Sequence, residues 1–308
     1  MLSLIGRTPI IKLKNNNCNH NFYAKCEWVN PTGSIKDRVA KYILDDLINN
    51  NKIQSNQPVV EASSGNMGTS LAAIAKYFNH PVHITCPEKT GLIKRKMITS
   101  LGAKLTICKN TADYKDPEFY VNKARLIADK LNGILINQYD NPLNTECHYK
   151  TTGPEIVSYF LTQALNIDYF ITVGGSGGTI TGCAKRIKEI FPNAKVVMPD
   201  PKGSVYYDIF NFGKPIKQNI YSYKVEGPGN PVFCKSMDLA YIDEIIQFTD
   251  NQAIEGCKDL AIEQGIYAGH SSGANYFILK KLANMLPKNK NYNILIMILD
   301  SGMKYDFE

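Results

Sequence analysis

Short β-branched runs alternate with longer amphipathic stretches along most of this chain, and no other feature narrows the fold as much. Runs with strand character lie at 58–62, 82–86, 105–108, 134–137, 169–173, 195–198, 245–248 and 294–299. Helical periodicity marks 67–78, 92–101, 118–131, 147–165, 179–190, 251–264 and 272–286. Strands joined through a helical crossover lie parallel. The pattern therefore predicts an α/β fold in which helices cover both faces of parallel sheets. No internal repeat or low-complexity linker interrupts it. Several glycine-rich turns fall where a strand ends and a helix begins, and that end of an open parallel sheet is where ligands bind.

Composition removes several functional classes. The 308 residues are 44% hydrophobic and 20% charged, so a large buried core is expected and global disorder is not. The net charge of +7, from 35 basic and 28 acidic residues, forms no basic stripe. Its best clusters, Lys94-Arg95-Lys96 and Lys185-Arg186 with Lys188, are short and interrupted, so no nucleic-acid partner is expected. Eight cysteines, at 18, 26, 86, 108, 147, 183, 234 and 257, form no C-x-x-C pair. Their irregular spacing suggests neither a zinc site nor a disulfide framework, and scattered thiols fit a reducing compartment. His80 and His83 flank the start of a strand with no third ligand nearby, so no metal is expected. The N-terminus has no charged segment followed by an apolar signal core, and the longest aliphatic run, 294–299, is too short to span a bilayer. A soluble cytoplasmic protein without membrane contact is the expectation.

Four motifs carry chemistry. In Asn30-Pro31-Thr32-Gly33-Ser34-Ile35-Lys36-Asp37-Arg38, Pro31 and Gly33 break structure, Ser34 can cap a helix, and Lys36 falls in the following first turn. A cation at a helix N-terminus is disfavoured, whereas a neutral amine or a Schiff-base lysine is easier to accept there. In Glu61-Ala62-Ser63-Ser64-Gly65-Asn66-Met67-Gly68, backbone N–H groups and hydroxyls at a strand-to-helix turn can hold a carboxylate. Asn66 offers an amide donor for a phenolic oxygen. In Val173-Gly174-Gly175-Ser176-Gly177-Gly178-Thr179, successive glycines let N–H groups surround a phosphate. This turn lacks the Lys-Ser/Thr ending of a nucleotide P-loop and the G-x-G-x-x-G spacing, so a phosphate monoester suits it better than ATP or NAD. In Gly269-His270-Ser271-Ser272-Gly273-Ala274, the Ser271 hydroxyl could meet a ring nitrogen. Taken singly each motif has a plainer reading: a surface lysine beside an Asp37–Arg38 ion pair, a capped turn, a glycine-rich loop, a serine N-cap.

Together, in this order and spacing, the motifs resemble the fold type II family of pyridoxal 5′-phosphate (PLP) enzymes, in its cysteine synthase and cystathionine β-synthase branch. The likeness also takes in Ile5-Gly6-Arg7-Thr8-Pro9, Pro87-Glu88-Lys89-Thr90, Leu101-Gly102-Ala103, Gln138, Thr151-Thr152-Gly153-Pro154-Glu155-Ile156 and Asp300-Ser301-Gly302, and so covers nearly the whole chain. It implies two three-layer αβα domains of tryptophan synthase β type: a small mobile domain at 39–141, and a large PLP-binding domain made of 1–38 with 142–308. It implies that Lys36 carries PLP as a Schiff base and then moves the substrate's α-proton. Gly175, Ser176, Gly177, Gly178 and Thr179 would hold the phosphate, Asn66 the 3′-oxygen, and Ser271 would face the pyridine nitrogen. Ser63, Ser64, Gly65, Met67 (through its backbone) and Gln138 would surround the substrate carboxylate.

The implied reaction is β-replacement on O-acetylserine, O-phosphoserine, serine or cysteine through an aminoacrylate, with PLP as electron sink. A serine opposite the pyridine nitrogen protonates it less firmly than an aspartate, which suits elimination better than transamination. The stretches at 200–204 and 223–229 look more like cystathionine β-synthase than a plain sulfhydrylase, with Glu226 and Gly227 near the second substrate. A sulfur nucleophile giving cysteine or cystathionine, or sulfide release from cysteine, is the leading expectation. Met67 stands where the family usually has threonine, as in siderophore enzymes that join O-phosphoserine to glutamate, so an amine nucleophile is the alternative. A catalytically silent partner of serine acetyltransferase is a third reading, against which the intact Lys36, Asn66 and Ser271 stand. A homodimer is the family habit.

Overall fold

The computed structural model describes residues 1–15, 18–109 and 115–305. The chain runs β1 (Ile10–Leu13), β2 (Asn21–Cys26), α1 (Lys36–Asn49), β3 (Val59–Ala62), α2 (Asn66–Tyr77), β4 (Val82–Pro87), α3 (Leu92–Ser100) and β5 (Lys104–Cys108). It continues through α4 (Tyr120–Leu131), β6 (Ile134–Leu135), α5 (Pro142–Cys147), a π-helical turn (His148–Thr152), α6 (Gly153–Thr162), β7 (Tyr169–Ile171) and α7 (Gly178–Ile190). It ends with β8 (Lys195–Pro201), α8 (Tyr206–Phe212), β9 (Glu244–Phe248), α9 (Asp250–Gln264), α10 (His270–Met285) and β10 (Asn293–Ile298).

Two sheets result, a six-stranded one in the order β1-β2-β10-β7-β8-β9 and a four-stranded one in the order β5-β4-β3-β6. Every pairing is parallel except β1 with β2, so the chain is α/β with mostly parallel sheets. Strand β10 shows why both faces are covered. Its side chains alternate between faces. Leu295 and Met297 join the core built with α6 and α7 through Ile156, Phe160, Ile180 and Ile187. Ile294, Ile296 and Ile298 join the opposite core, with Tyr276, Leu279 and Leu282 of α10. The smaller sheet is covered likewise: Val59 and Ile84 pack on α1, α2 and α3, while Val60 and Ala62 face Ala124 and Ala128 of α4.

The structure departs from the sequence expectation in three places. The antiparallel β1–β2 edge was not anticipated, because β1 has only four residues and lies in an asparagine-rich context. The helix expected over 147–165 instead runs without interruption from 142 to 162, as α5, a π turn and α6. Pro154, in the first turn of α6, has no N–H to continue the ladder of hydrogen bonds. Helix α8 was not foreseen, and other ends move by up to three residues, the most at the end of β8. Among the described residues, no helix is long and apolar enough to cross a membrane.

Candidate active site

The β2–α1 connection places Lys36 as the first residue of α1. Gly33 sits at φ +76°, a left-handed turn that a side chain would strain. The turn is stitched to the C-terminal end of β10, with Ser301 N–H donating to the Gly33 carbonyl at 3.1 Å and Ile35 N–H to the Leu299 carbonyl at 2.9 Å. Ser34 is not the helix cap; its hydroxyl accepts the Lys36 N–H at 3.3 Å. The Asp37–Arg38 ion pair of the plainer reading does not form. Buried Asp37 accepts from Ser70 Oγ at 2.6 Å and from Thr32 N–H at 2.7 Å. Buried Arg38 pairs instead with Glu27 and Glu155, each at 2.7 Å, and Lys25 adds a 2.6 Å contact to Glu155. These ties hold the start of α1 from both sides.

No hydrogen bond or ion pair with another described residue engages the Lys36 amine. Burial pushes its pKa below the usual lysine range, against the opposing pull of Cys147, Glu61 and Cys234. The amine therefore loses its proton more readily than a surface lysine, as a nucleophile and base must. Glu61, fully buried at the end of β3, has its carboxyl pushed up to about 8 by burial, despite the N–H groups of Asn137 and Gln138 and the charge of Lys36.

Two turns at strand C-termini, β3–α2 and β7–α7, and the start of α10 carry the other expected site residues. In the β3–α2 turn, Ser63 Oγ accepts from Gly65 N–H at 3.1 Å and Gly68 N–H at 2.9 Å, which fixes the turn. Ser64 and Asn66 are half-buried beside it. The Met67 side chain is 1% exposed and packs into the core of the smaller sheet with Leu71 and Ile98, away from the turn's open side. Gln138 is buried, its amide 3.4 Å from the Ala62 carbonyl. Asn66 Nδ2 donates to Asp300 Oδ2 at 2.6 Å, and Lys304 Nζ donates to Asn66 Oδ1 at 3.0 Å. Asn66 thus points at the β10 end, and would exchange the Asp300 contact to donate to a ligand oxygen.

The β7–α7 turn forms the second wall. Gly177, the N-cap of α7, has φ +94°, and a Cβ there would lie 2.5 Å from the Met237 backbone. A Cβ on Gly175 would lie 2.1 Å from the Gly227 carbonyl. Only glycine fits at these two positions, and no side chain caps the start of this 13-residue helix. Ser176 and Thr179 are buried in the same turn. Ser271, in the first turn of α10, forms the third wall; Gly269 is the N-cap, and neither serine caps the helix. Ser272 Oγ instead accepts the Leu299 N–H at 2.9 Å.

Glu226 carries a carboxylate that is 28% exposed. It forms an ion pair with Lys94 of α3, whose stem crosses Gly65 so closely that a Cβ there would lie 2.5 Å from Lys94 Cδ. Gly227 follows beneath it, and a Cβ on Gly227 would lie 3.8 Å from that of Ser271. Sequence reasoning passed over Lys94, because a lysine in a basic helical stretch carries no signal of its partner. It also passed over Asn144, His148 and Thr152, which stand behind the glycine-rich turn, although their four-residue spacing was visible.

An amine with no hydrogen bond or ion pair to another described residue, and a glycine-rich turn at a helix start, suit enzymes that hold a phosphorylated aldehyde cofactor on a lysine. The profile of the pyridoxal-phosphate dependent enzymes matches residues 1–300, and the chain belongs to that family. It is 33% identical to a cystathionine beta-synthase of Apis mellifera over 99% of its own length, and spans only 59% of that protein. It is 34% identical to a cysteine synthase B of Campylobacter jejuni, covering 98% of this chain and 95% of that one. Among solved structures, it superposes on an O-ureido-L-serine synthase with a TM-score of 0.89, at 28% identity, over 99% of this chain and 92% of that chain. It superposes on a hydrogen sulfide-producing enzyme, Fn1055, with a TM-score of 0.87, at 33% identity, over 98% and 88%. The chain is thus a PLP-dependent enzyme of the cysteine synthase and cystathionine β-synthase type.

Proposed function

We propose that the chain replaces a leaving group on the β-carbon of O-acetylserine, O-phosphoserine, serine or cysteine with a sulfur nucleophile, forming cysteine or cystathionine or releasing sulfide from cysteine. The observation that carries this reading is the Lys36 amine at the first residue of α1, which has no hydrogen bond or ion pair with another described residue and whose pKa burial lowers. PLP, when bound, supplies the electron sink that makes the substrate's α-proton labile. Lys36 Nζ holds the cofactor, takes that proton and returns it at the end of the cycle. The N–H groups and hydroxyls at 63–68, with Gln138, bind and orient the substrate carboxylate. Residues 175–179 anchor the phosphate, Asn66 the ring oxygen and Ser271 the ring nitrogen. Glu226 and Gly227 close over the site, with Glu226 available to an ammonium of the incoming substrate.

The amine-nucleophile alternative draws no support from the likeness to an O-ureido-L-serine synthase, whose name states a product linked through oxygen. Its ground, Met67, is weak, because that side chain packs in the core. We also propose a smaller mobile domain at 39–141, which would contain the four-stranded sheet, against a larger one made of 1–38 and 142–308. A cytoplasmic homodimer is proposed, with serine acetyltransferase as a candidate partner; the eight free cysteines suit a reducing compartment.

The test is to incubate the enzyme with each of the four first substrates together with sulfide, homocysteine or glutamate, and to identify products by mass. A sulfur-containing product is expected. Normal turnover by Lys36→Ala with PLP bound would overturn the assignment of Lys36.

A further inference from the structure

Each hydroxyl of the glycine-rich turn is held from behind by a buried side chain of the α5 and π-helical segment. Asn144 Nδ2 donates to the Gln138 carbonyl at 2.8 Å and to Ser176 Oγ at 2.9 Å. A carbonyl can only accept, so the first contact fixes which end of the amide carries the hydrogens, and both hydrogens are then used. Ser176 Oγ is therefore an acceptor toward Asn144. Behind Thr179, the His148 ring bridges two threonines, with Thr152 Oγ1 2.9 Å from Nδ1 and Thr179 Oγ1 3.2 Å from Nε2. Asn144, His148 and Thr152 are each 0% exposed. Burial, with Lys36 and Arg38 nearby, keeps His148 neutral, so its ring has one donor and one acceptor.

The direction of the hydrogens decides what the turn can bind. A phosphate monoester offers only acceptors to a hydroxyl. If His148 carried its proton on Nδ1, Thr179 would have to donate backward to Nε2 and would turn a lone pair toward the phosphate. With the proton on Nε2, His148 donates to Thr179, Thr152 donates to Nδ1, and the Thr179 proton is free to point into the cradle. Asn144 leaves Ser176 in the same state. We propose that Asn144, His148 and Thr152 are positioning residues that set the hydrogen-bond direction of the cradle, so that Ser176 and Thr179 both donate to the cofactor phosphate. This rests on reading the turn at 174–179 as the phosphate site.

The experiment uses the holoenzyme. Nitrogen-15 NMR of His148 should show its proton on Nε2. The rate of PLP release into an excess of a scavenging apoenzyme, and the phosphorus-31 signal of bound PLP, are compared across variants. Thr152→Val, nearly isosteric, should speed release by about 3- to 10-fold, the worth of one hydrogen bond. Asn144→Asp should speed it by about 10-fold or more, because it replaces two donors with a charge. His148→Gln, which keeps a donor near the Nε2 position, should release PLP more slowly than His148→Leu. A proton on Nδ1 would overturn the proposal. So would unchanged release and phosphorus signal in Thr152→Val when Ser176→Ala and Thr179→Val alter both. If Ser176→Ala and Thr179→Val also leave release unchanged, the phosphate-site reading falls, and this proposal falls with it.

Discussion

Lys94, on a helix beside the smaller sheet, is ion-paired with Glu226, on the loop that lays Gly227 over the glycine-rich turn of the larger sheet. The same ammonium lies 3.7 Å from the centroid of the Tyr305 ring, and Tyr305 donates to Asp300 at 2.6 Å. The Lys94 side chain is 3% exposed, so removing Glu226 strands a buried charge. We expect Glu226→Ala to cost about 3 kcal/mol, and Lys94→Met with Glu226→Ala to recover part of that loss. Denaturant unfolding of the two single variants and the double variant checks this; additive losses would show that the pair is not coupled. Glu226→Gln should also raise the KM of a nucleophile that carries an ammonium more than that of sulfide.

Met67 gives a second test, because its position in the sequence and its position in the fold suggest different things. With its side chain in the core beside Leu71 and Ile98, Met67→Thr removes buried apolar volume. A stability loss of about 2 kcal/mol is expected, with the product spectrum unchanged. A change of nucleophile at unchanged stability would move Met67 into the substrate pocket.

The glycine-rich turns, Lys36 and the parallel sheets were legible because each depends on local residue types: a strand followed by a tight turn, or an anion site at a helix start. At Met67 the sequence and the packing of the side chain point in different directions. A missing hydroxyl is visible in a sequence, but the direction of the side chain that replaces it is set by tertiary packing. Glu226 could be placed near the site but not paired, since Lys94 is 132 positions away in the chain. The π turn was hidden because 148–152, His-Tyr-Lys-Thr-Thr, carries no residue signal that separates it from an ordinary helical turn.

Glu155 predicts the behaviour of the fold in acid. Burial alone would raise its carboxyl, but Arg38 and Lys25 outweigh that and hold it at about 2. A carboxyl depressed on folding stabilises the fold above its unfolded pKa, and that stability disappears as pH falls through the folded value. The loss should run from roughly pH 5 to pH 2 and amount to about 3 kcal/mol. Glu155→Gln should show a flatter melting curve over that window. Because the change leaves Arg38 with a weaker partner, the variant should also melt lower at pH 7; equal melting temperatures there would mean that the network does not hold the start of α1.

Glu61 should act in the opposite direction and in a different window. Its folded carboxyl titrates at about 8, raised by burial, while an exposed glutamate titrates near the ordinary value of 4.5. Between those values the folded state keeps a proton that the unfolded state has lost, so stability falls as pH rises, and the fall ends only above the folded pKa. Glu61→Gln keeps the shape and removes the titration. Measured with saturating PLP, the parent should lose melting temperature from pH 6 to pH 9 more steeply than Glu61→Gln, and the variant should be the more stable of the two at pH 9. Parallel curves would mean that Glu61 is already ionised at neutral pH and paired with Lys36. In that case removing it should shift the alkaline limb of the pH–rate profile, because Lys36 would have lost the charge that raises its pKa.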